Sequence, residues 1–320
     1  MMRRFIFTVV LSTLVWSCSS DDDNDGVQIL PPRPLSEVAV EDDAEIREFL
    51  QTHFYNYEEF QNPPADFDFK IRIDTIAGEN ADKTPLIDQV ESAVVNVSSF
   101  EFSLNDEELD VPHTYYYLSA REGIGQSPTV ADSTFVRYEG MLLNGTSFDG
   151  STTGTWFDLA RIQAPLQGFR GFSEGMVNFK EGGDPIVNAD GTFSVSDYGV
   201  GMIIMPSGLA NFNGSRGLIG QYAPIIFTVD LFSVNTADHD GDGIPSIMED
   251  LDGDGYLYND NTDAASEANA GVGLVANFLD SDDDDDGIPT RDEIEIDGAG
   301  NITFPDSDGD GTPDYLDSDS

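Results

Sequence analysis

Between Asp238 and Ser320 the chain carries 22 Asp and 4 Glu against one basic residue, Arg291. A stretch so acidic, with few apolar residues, cannot hold itself together by burial, so its order must depend on counterions. The acids are regularly spaced. Asp238, Asp240, Asp242, Gly243 and Glu249 follow D-x-D-x-D-G-x5-E, and the spacing returns at Asp282, Asp284, Asp286, Gly287 and Glu293, then at Asp306, Asp308, Asp310, Gly311 and Asp317. Oxygens at positions 1, 3, 5 and 12 around one ion, with Gly at position 6 for the sharp turn, are the donor pattern of a Ca2+ loop. A fourth run, Asp250, Asp252, Asp254 and Gly255, has Asn261 at its twelfth position and is weaker. Pro245, Pro289 and Pro313 each follow a Gly by two residues, which disfavours a long exiting helix and predicts compact loops. His53, His113 and His239 share no ligand spacing, so no zinc site is expected. The formal charge of −47 argues against nucleic acid as a partner.

The other end is basic, then greasy. Met1 to Arg4 precede an apolar run from Phe5 to Trp16 that is too short to span a bilayer comfortably, which predicts a signal peptide over 1–17. Val15-Trp16-Ser17-Cys18 resembles the lipobox of bacterial lipoproteins, in which the Cys is diacylated; Cys18 is the one Cys of the chain, so no disulfide scaffold exists. Ser19-Ser20-Asp21-Asp22-Asp23 is similar to the export signal of Bacteroidetes-type lipoproteins. These resemblances imply a lipid on Cys18 and an outer-membrane location, on the periplasmic or cell-surface face. Residues 18–36, polar and then Pro-rich, predict a flexible tether.

In the body, Ala44, Ile46, Phe49, Leu50 and Phe54 recur at helical spacing and predict an amphipathic helix over Glu41–Phe54. The region 37–112 otherwise offers short β-prone runs, Phe69–Ile73 and Ala93–Val97, and no motif with assignable chemistry. Thr134–Leu142 alternates, with Val136 and Tyr138 on one face and Phe135 and Arg137 on the other, and Asn144-Gly145 supplies a hairpin turn. Ile225, Phe227, Val229 and Leu231 alternate with Ile226, Thr228, Asp230 and Phe232 as in a central strand. Phe169–Phe179 predicts one short helix. Many strands around a single helix indicate an α+β fold with an antiparallel sheet over 113–235, followed by the acidic tail 236–320 as a separate unit.

Four blocks in this segment resemble the FKBP family of peptidyl-prolyl cis-trans isomerases. Val136-Arg137-Tyr138-Glu139-Gly140-Met141-Leu142 with Asn144-Gly145-Thr146-Ser147-Phe148-Asp149-Gly150-Ser151 is similar to V-x-Y-x-G-x-L-x-x-G-x-x-F-D-x-S, without a gap. Gly168 to Met176, Met205 to Ala210 and Ile219 to Val229 are similar to the family's later blocks, in order. The resemblance implies a sheet wrapped around a short helix, with a pocket of Tyr138, Phe148, Asp149, Phe157, Phe169, Phe172, Ile219 and Phe227 and with Ala210 on its rim. Two positions depart: Phe172 replaces the usual Trp, and Asn211 stands where a Tyr hydroxyl commonly binds the substrate carbonyl. Residues Asn178–Met202 read as an insertion with a turn at Asp190-Gly191. The acidic loops resemble thrombospondin type 3 repeats.

The chemistry implied is rotation about X-Pro bonds, which isomerise over tens of seconds against a barrier of ~18–20 kcal/mol. Twisting removes amide resonance and polarity, so a dry aromatic pocket favours the twisted amide over the planar one. No nucleophile or cofactor is required, and Ca2+ is expected only as a structural ion of the tail. The expected partners are proline-containing clients among exported proteins. The alternative is a catalytically weak FKBP-fold binding module in a calcium-dependent surface adhesin or assembly factor, a reading that Asn211 favours.

Overall fold

Alternating apolar residues put β-structure at the centre of the molecule. The computed structural model describes residues 31–104, 107–164 and 167–320; Cys18 and the expected signal peptide lie outside them. The helices are α1 (Leu35–Thr52), α2 (Tyr57–Gln61), α3 (Arg170–Met176), α4 (Ala264–Ala270) and α5 (Thr290–Glu293). The first strands are β1 (His53–Tyr55), β2 (Ile73–Thr75), β3 (Glu91–Val97), β4 (Val111–Arg121), β5 (Ser133–Leu142) and β6 (Ser147–Asp158). There follow β7 (Ile186–Val187), β8 (Phe193–Ser194), β9 (Gly199–Met205), β10 (Ile225–Asn235), β11 (Glu295–Ile296) and β12 (Ile302–Thr303).

Six strands form one antiparallel sheet in the order β3-β4-β9-β10-β5-β6. The architecture is α+β, a sheet packed around a short helix. Strand β10 is central, and its alternation divides the core in two. Ile225, Phe227, Val229 and Leu231 join Phe172 and Met176 of α3, whereas Ile226 joins Tyr116, Leu118, Met202, Ile204 and the α1 residues Ile46, Phe49 and Leu50. Helix α3 lies flush on β9 because it carries glycines at the contact. A Cβ on Gly171 would lie 2.8 Å from Met205 Sδ, and one on Gly175 would lie 2.5 Å from Ile203 Cδ1.

The N-terminal region belongs to this body. Strand β4 straddles the expected boundary between residues 112 and 113, and β3 pairs with it from Glu91↔Tyr117 to Val97↔Val111. Helix α1 starts at Leu35, six residues before the expected start and inside the expected tether, because Leu35, Val38 and Ala39 add a second apolar face that packs on the α3 side of the sheet. It ends at Thr52, where His53 turns extended to pair β1 with β2. The run Phe69–Ile73 is not a strand before Ile73, since Phe69 takes φ +54. Of the expected insertion 178–202, the residues from Gly199 onward are sheet strand β9, Phe179 is buried in the main core, and Ile186–Ser194 forms the small β7–β8 hairpin, with Gly191 at φ +83 in its turn.

The tail is not a separate unit. Leu257, Ala276 and Phe278 form one cluster with Val130, Ala131 and Ala160 of the body, and His239 lies 3.1 Å from Asp158 at the end of β6. Arg33–Ser320 is a single compact unit. Each Pro after a loop starts one turn only: Ser246–Glu249, α5, and Asp314–Leu316.

One side-chain contact fixes α1 to the loop after β9. The buried Asp42 carboxylate accepts from the Ser207 amide at 2.7 Å and from its hydroxyl at 2.6 Å. Burial raises Asp42 from an ordinary 3.8 to about 6, against the Ser207 donors. Replacing Asp42 by Ala leaves a buried donor unpaired and should lower stability by about 2–3 kcal/mol, read from urea unfolding. The folded state holds the proton more tightly than the unfolded chain. The carboxyl's contribution therefore declines as pH rises from about 4 through about 6, and the wild-type advantage over Asp42→Ala should shrink across that window.

Candidate functional site

Phe227, pointing from the middle of β10 toward α3, is the hub of an aromatic cluster. Its ring centroid lies 5.1 Å from Phe172, 5.6 Å from Phe148, 5.8 Å from Phe169 and 6.1 Å from Tyr138. Phe157 closes the ring set, 5.0 Å from Tyr138 and 5.2 Å from Phe172. Most pairs meet edge to face, the arrangement that aromatic quadrupoles favour. Phe172 and Phe227 are buried, whereas Tyr138, Phe148, Phe157 and Phe169 are half-buried and present one side to solvent. Gly140 makes the wall possible, since a Cβ there would lie 2.6 Å from Phe148 Cε2 and 2.8 Å from Phe227 Cε1.

Polar groups stand at the edge of the rings. The Tyr138 hydroxyl donates to Asp149 Oδ2 at 2.9 Å, and Asp149 Oδ1 accepts from the Gly150 amide at 2.8 Å. Desolvation first, and the Asp149 carboxylate second, push the Tyr138 phenol up to about 12, so at neutral pH it remains a donor. Arg216 sits over the Phe169 ring, 5.4 Å from its centroid.

Eight of the ten expected pocket residues are thus accounted for by one cluster and its edge: the six rings, Asp149, and Ile219, which is buried in the same core. Ala210 is also buried there, just past the turn Ser207–Leu209. The Asn211 carbonyl accepts from the Gly214 amide at 2.7 Å, its side chain lies against Gly214, and its Nδ2 is buried without a partner. A cavity of about 430 Å3 lies on the other side of the sheet. It is lined by Arg137, Glu139, Thr228 and Asp230 on the opposite face of β5 and β10 and covered by Asp68, Lys70 and Ile71, reaching Tyr138 and Asp149 only at the strand edge. Ion pairs stand in its walls, Lys70–Glu139 at 2.8 Å and Arg137–Asp230 at 2.5 Å.

In the tail the acidic loops gather their carboxylates. Oxygens of Asp238, Asp240 and Asp242 lie within 4.8 Å of one another, as do those of Asp282, Asp284 and Asp286. Glu249 and Glu293 face their own loops: burial, then the loop aspartates, push Glu249 up to about 10 and Glu293 up to about 7. In the third loop, Asp306 accepts from the Gly309 and Gly311 amides at 2.8 and 3.1 Å, Asp308 from Asp310 at 2.9 Å, and Asp310 from Thr312 at 2.7 Å. Asp240 Oδ2, Asp242 Oδ2, both Glu249 oxygens, Asp282 Oδ1, Asp284 Oδ2, Glu293 Oε2 and Asp317 Oδ2 are buried with no hydrogen-bond donor. Such oxygens are too costly to leave bare, and a hard cation with all-oxygen coordination fits them.

Asp283 is among the acids that the sequence spacing leaves out. Asp283, at position 2 of its loop, joins Asp242 and Glu249 of the first loop within 4.8 Å, so two loops share a cluster. Position 2 also has a repeated structural role. Its amide donates to the side chain at position 9 in each full loop: His239 to Ser246, Asp283 to Thr290, and Ser307 to Asp314.

Residues 239–304 match the family described as BamM C-terminal. The chain is similar to the peptidyl-prolyl cis-trans isomerase Mip of Coxiella burnetii, 32% identical over 122 residues, covering 37% of this chain and 44% of that protein. It is likewise similar to the probable FKBP-type isomerase FkpA of Neisseria meningitidis serogroup B, 31% identical over 125 residues, covering 38% of this chain and 39% of that one. The chain spans less than half the length of these curated relatives. Among solved structures, FkpA of Escherichia coli is 26% identical, covering 38% of this chain and 48% of that one at a TM-score of 0.29. An isomerase from Pseudomonas syringae is 24% identical, covering 38% and 75%, at a TM-score of 0.30. The chain has FKBP-type peptidyl-prolyl isomerases as its relatives.

Proposed function

We propose that the cluster around Phe227 is the active site of a peptidyl-prolyl cis-trans isomerase acting on proline-containing segments of exported proteins. The observation that carries this reading is the set of five rings gathered around Phe227 with a hydrogen-bonded Tyr138–Asp149 pair at its edge. A prolyl ring seated against the half-buried Tyr138, Phe148, Phe157 and Phe169, with Phe172 and Phe227 beneath them, loses water, and its amide becomes less polar as it twists, so the apolar surroundings lower the twisted state relative to the planar one. About 4–5 kcal/mol of such preference accelerates rotation a thousandfold or more. The Tyr138 hydroxyl, whose one proton goes to Asp149 in the free protein, would turn that proton to the substrate carbonyl on binding.

A second reading is supported by Asn211, whose side-chain amide is buried against Gly214. In it the pocket holds proline-containing segments with little acceleration. Isomerisation of X-Pro peptides by the full chain separates the two. The catalytic reading expects Phe148→Ala or Asp149→Ala to lower kcat/KM by one or two orders of magnitude, about 1.4–2.8 kcal/mol, with folding checked by circular dichroism. A folded wild type that binds such peptides and does not accelerate them supports the binding module.

We also infer that Ca2+ occupies the three full loops, held by Asp238, Asp240, Asp242 and Glu249, by Asp282, Asp284, Asp286 and Glu293, and by Asp306, Asp308, Asp310 and Asp317. The ion would neutralise the crowded carboxylates and keep the tail folded on the body; no step of the rotation passes through it. A lipid on Cys18 would hold the protein on the outer membrane. Cys18→Ser should move the protein from the membrane fraction to the soluble one, and a variant that stays membrane-bound would contradict the lipid anchor.

A further inference from the structure

The fourth acidic run lacks a carboxylate at its twelfth position, yet it adopts the loop. Asp250 accepts from the amides of Gly253 and Gly255 at 3.0 Å each, Asp252 from Asp254 at 2.9 Å, and Asp254 from Tyr256 at 2.6 Å. Its three aspartates bring oxygens within 4.8 Å of one another. Asn259 Nδ2 bridges Asp252 Oδ2 and Asp254 Oδ2 at 3.3 Å each, long contacts for a charged acceptor.

An independent observation comes from the next residue. Asp260, at position 11, is only 6% exposed, and its Oδ2 has no hydrogen-bond partner. Its backbone is pinned, because its carbonyl accepts from the Asn277 amide at 2.9 Å. The carboxyl faces the loop's own groups, with Asp252 and Asp250 beside it and the amides of Leu251 and Asp252 turned toward it. Leu251 is the second residue of this run. The amide that serves a position-9 side chain in the other loops here faces Asp260, so closure has moved from the twelfth position to the eleventh.

This loop also sits against the pocket helix. The Asp254 carbonyl accepts from Arg170 Nη2 at 3.4 Å, the Arg170 guanidinium lies 4.7 Å from the Tyr256 ring centroid, and the Leu257 amide donates to Gln163 at 3.2 Å. We propose that Asp250, Asp252, Asp254 and Asp260 form a fourth binding site for a hard divalent cation of the Ca2+ class, located at the seam between the tail and the α3 helix that carries Phe172. Three carboxylates from the first half of the loop and one buried carboxylate from its end give the all-oxygen set that such an ion takes. The site rests on the cation reading of the tail loops, and the test distinguishes its failure from theirs.

The experiment is calorimetric titration of the full chain with Ca2+, beside Asp260→Asn and Asp252→Ala. Asp252 is exposed, so its replacement spares the seam. The expected result is one fewer ion bound in each variant than in wild type. Tb3+ luminescence excited through tyrosine gives a second readout, because Tyr256 occupies position 7 of this loop whereas Ile244, Ile288 and Thr312 occupy it in the others. The Tyr256-dependent part of that signal, defined with Tyr256→Phe, should disappear in both variants. An unchanged ion count together with unchanged luminescence overturns the fourth site and leaves the other three standing. No Ca2+ uptake by wild type overturns the cation reading of the whole tail.

Discussion

Much of this architecture turns on one buried guanidinium. Arg170 is 5% exposed and reaches three stretches far apart in the sequence. Its Nη1 donates to both Glu101 oxygens, at 3.1 and 3.0 Å, and to the Asn96 carbonyl at 3.2 Å, its Nε donates to Glu174 at 3.2 Å, and its far side meets Asp254 and Tyr256 of the tail. A charge so far from water persists only with its partners in place, and without it Glu101 and Glu174 would be left as buried carboxylates with no counterion. Even with Arg170 beside it, burial pushes Glu174 up to about 7. Helix α3, whose next-but-one residue is Phe172, is therefore positioned by charge as well as by apolar contact, and the edge strand β3 and the acidic tail are held to it by the same group.

What could be read from the sequence was whatever repeats locally. Alternation in 225–232 and 134–142 marks strands β10 and β5, Asn144-Gly145 marks their neighbouring hairpin, and the acid spacing marks loops that do gather their carboxylates. The rings around Phe227 were found by family resemblance, because nothing in the spacing of Phe148, Phe157 and Phe172 says that they converge. The rest was hidden for a physical reason. Asp42 and Ser207 are 165 positions apart and have no local signature, so the tie between α1 and the rim of the ring cluster could not be anticipated. The early start of α1 was hidden because Leu35, Val38 and Ala39 face a different part of the core from Ile46, Phe49 and Leu50, which blurs a single apolar stripe. Asp260 was passed over because a fixed template assigns no ligand to position 11.

The two faces of the sheet divide the work. Apolar rings gather on the α3 side, where Gly140 and Gly171 permit close approach. On the far side, β5 and β10 present Arg137, Glu139 and Asp230, whose ion pairs reach Lys70 of the N-terminal region. The same strands thus present apolar rings on one side and paired charges on the other.

The central position of β10 has a mechanical consequence. The strand runs directly into the tail, so tension applied to the tail bears first on the seam, where contacts such as His239 with Asp158, Leu257 with Gln163 and Asp254 with Arg170 act one after another. Behind them β10 is flanked on both sides, from Ile225↔Met205 to Leu231↔Gly199 on one edge and from Ile225↔Leu142 to Asn235↔Ser133 on the other. A pull along the chain must therefore strip a series of weak fasteners before it loads two ladders in shear, which makes the seam a sacrificial link that shields the aromatic cluster from strain.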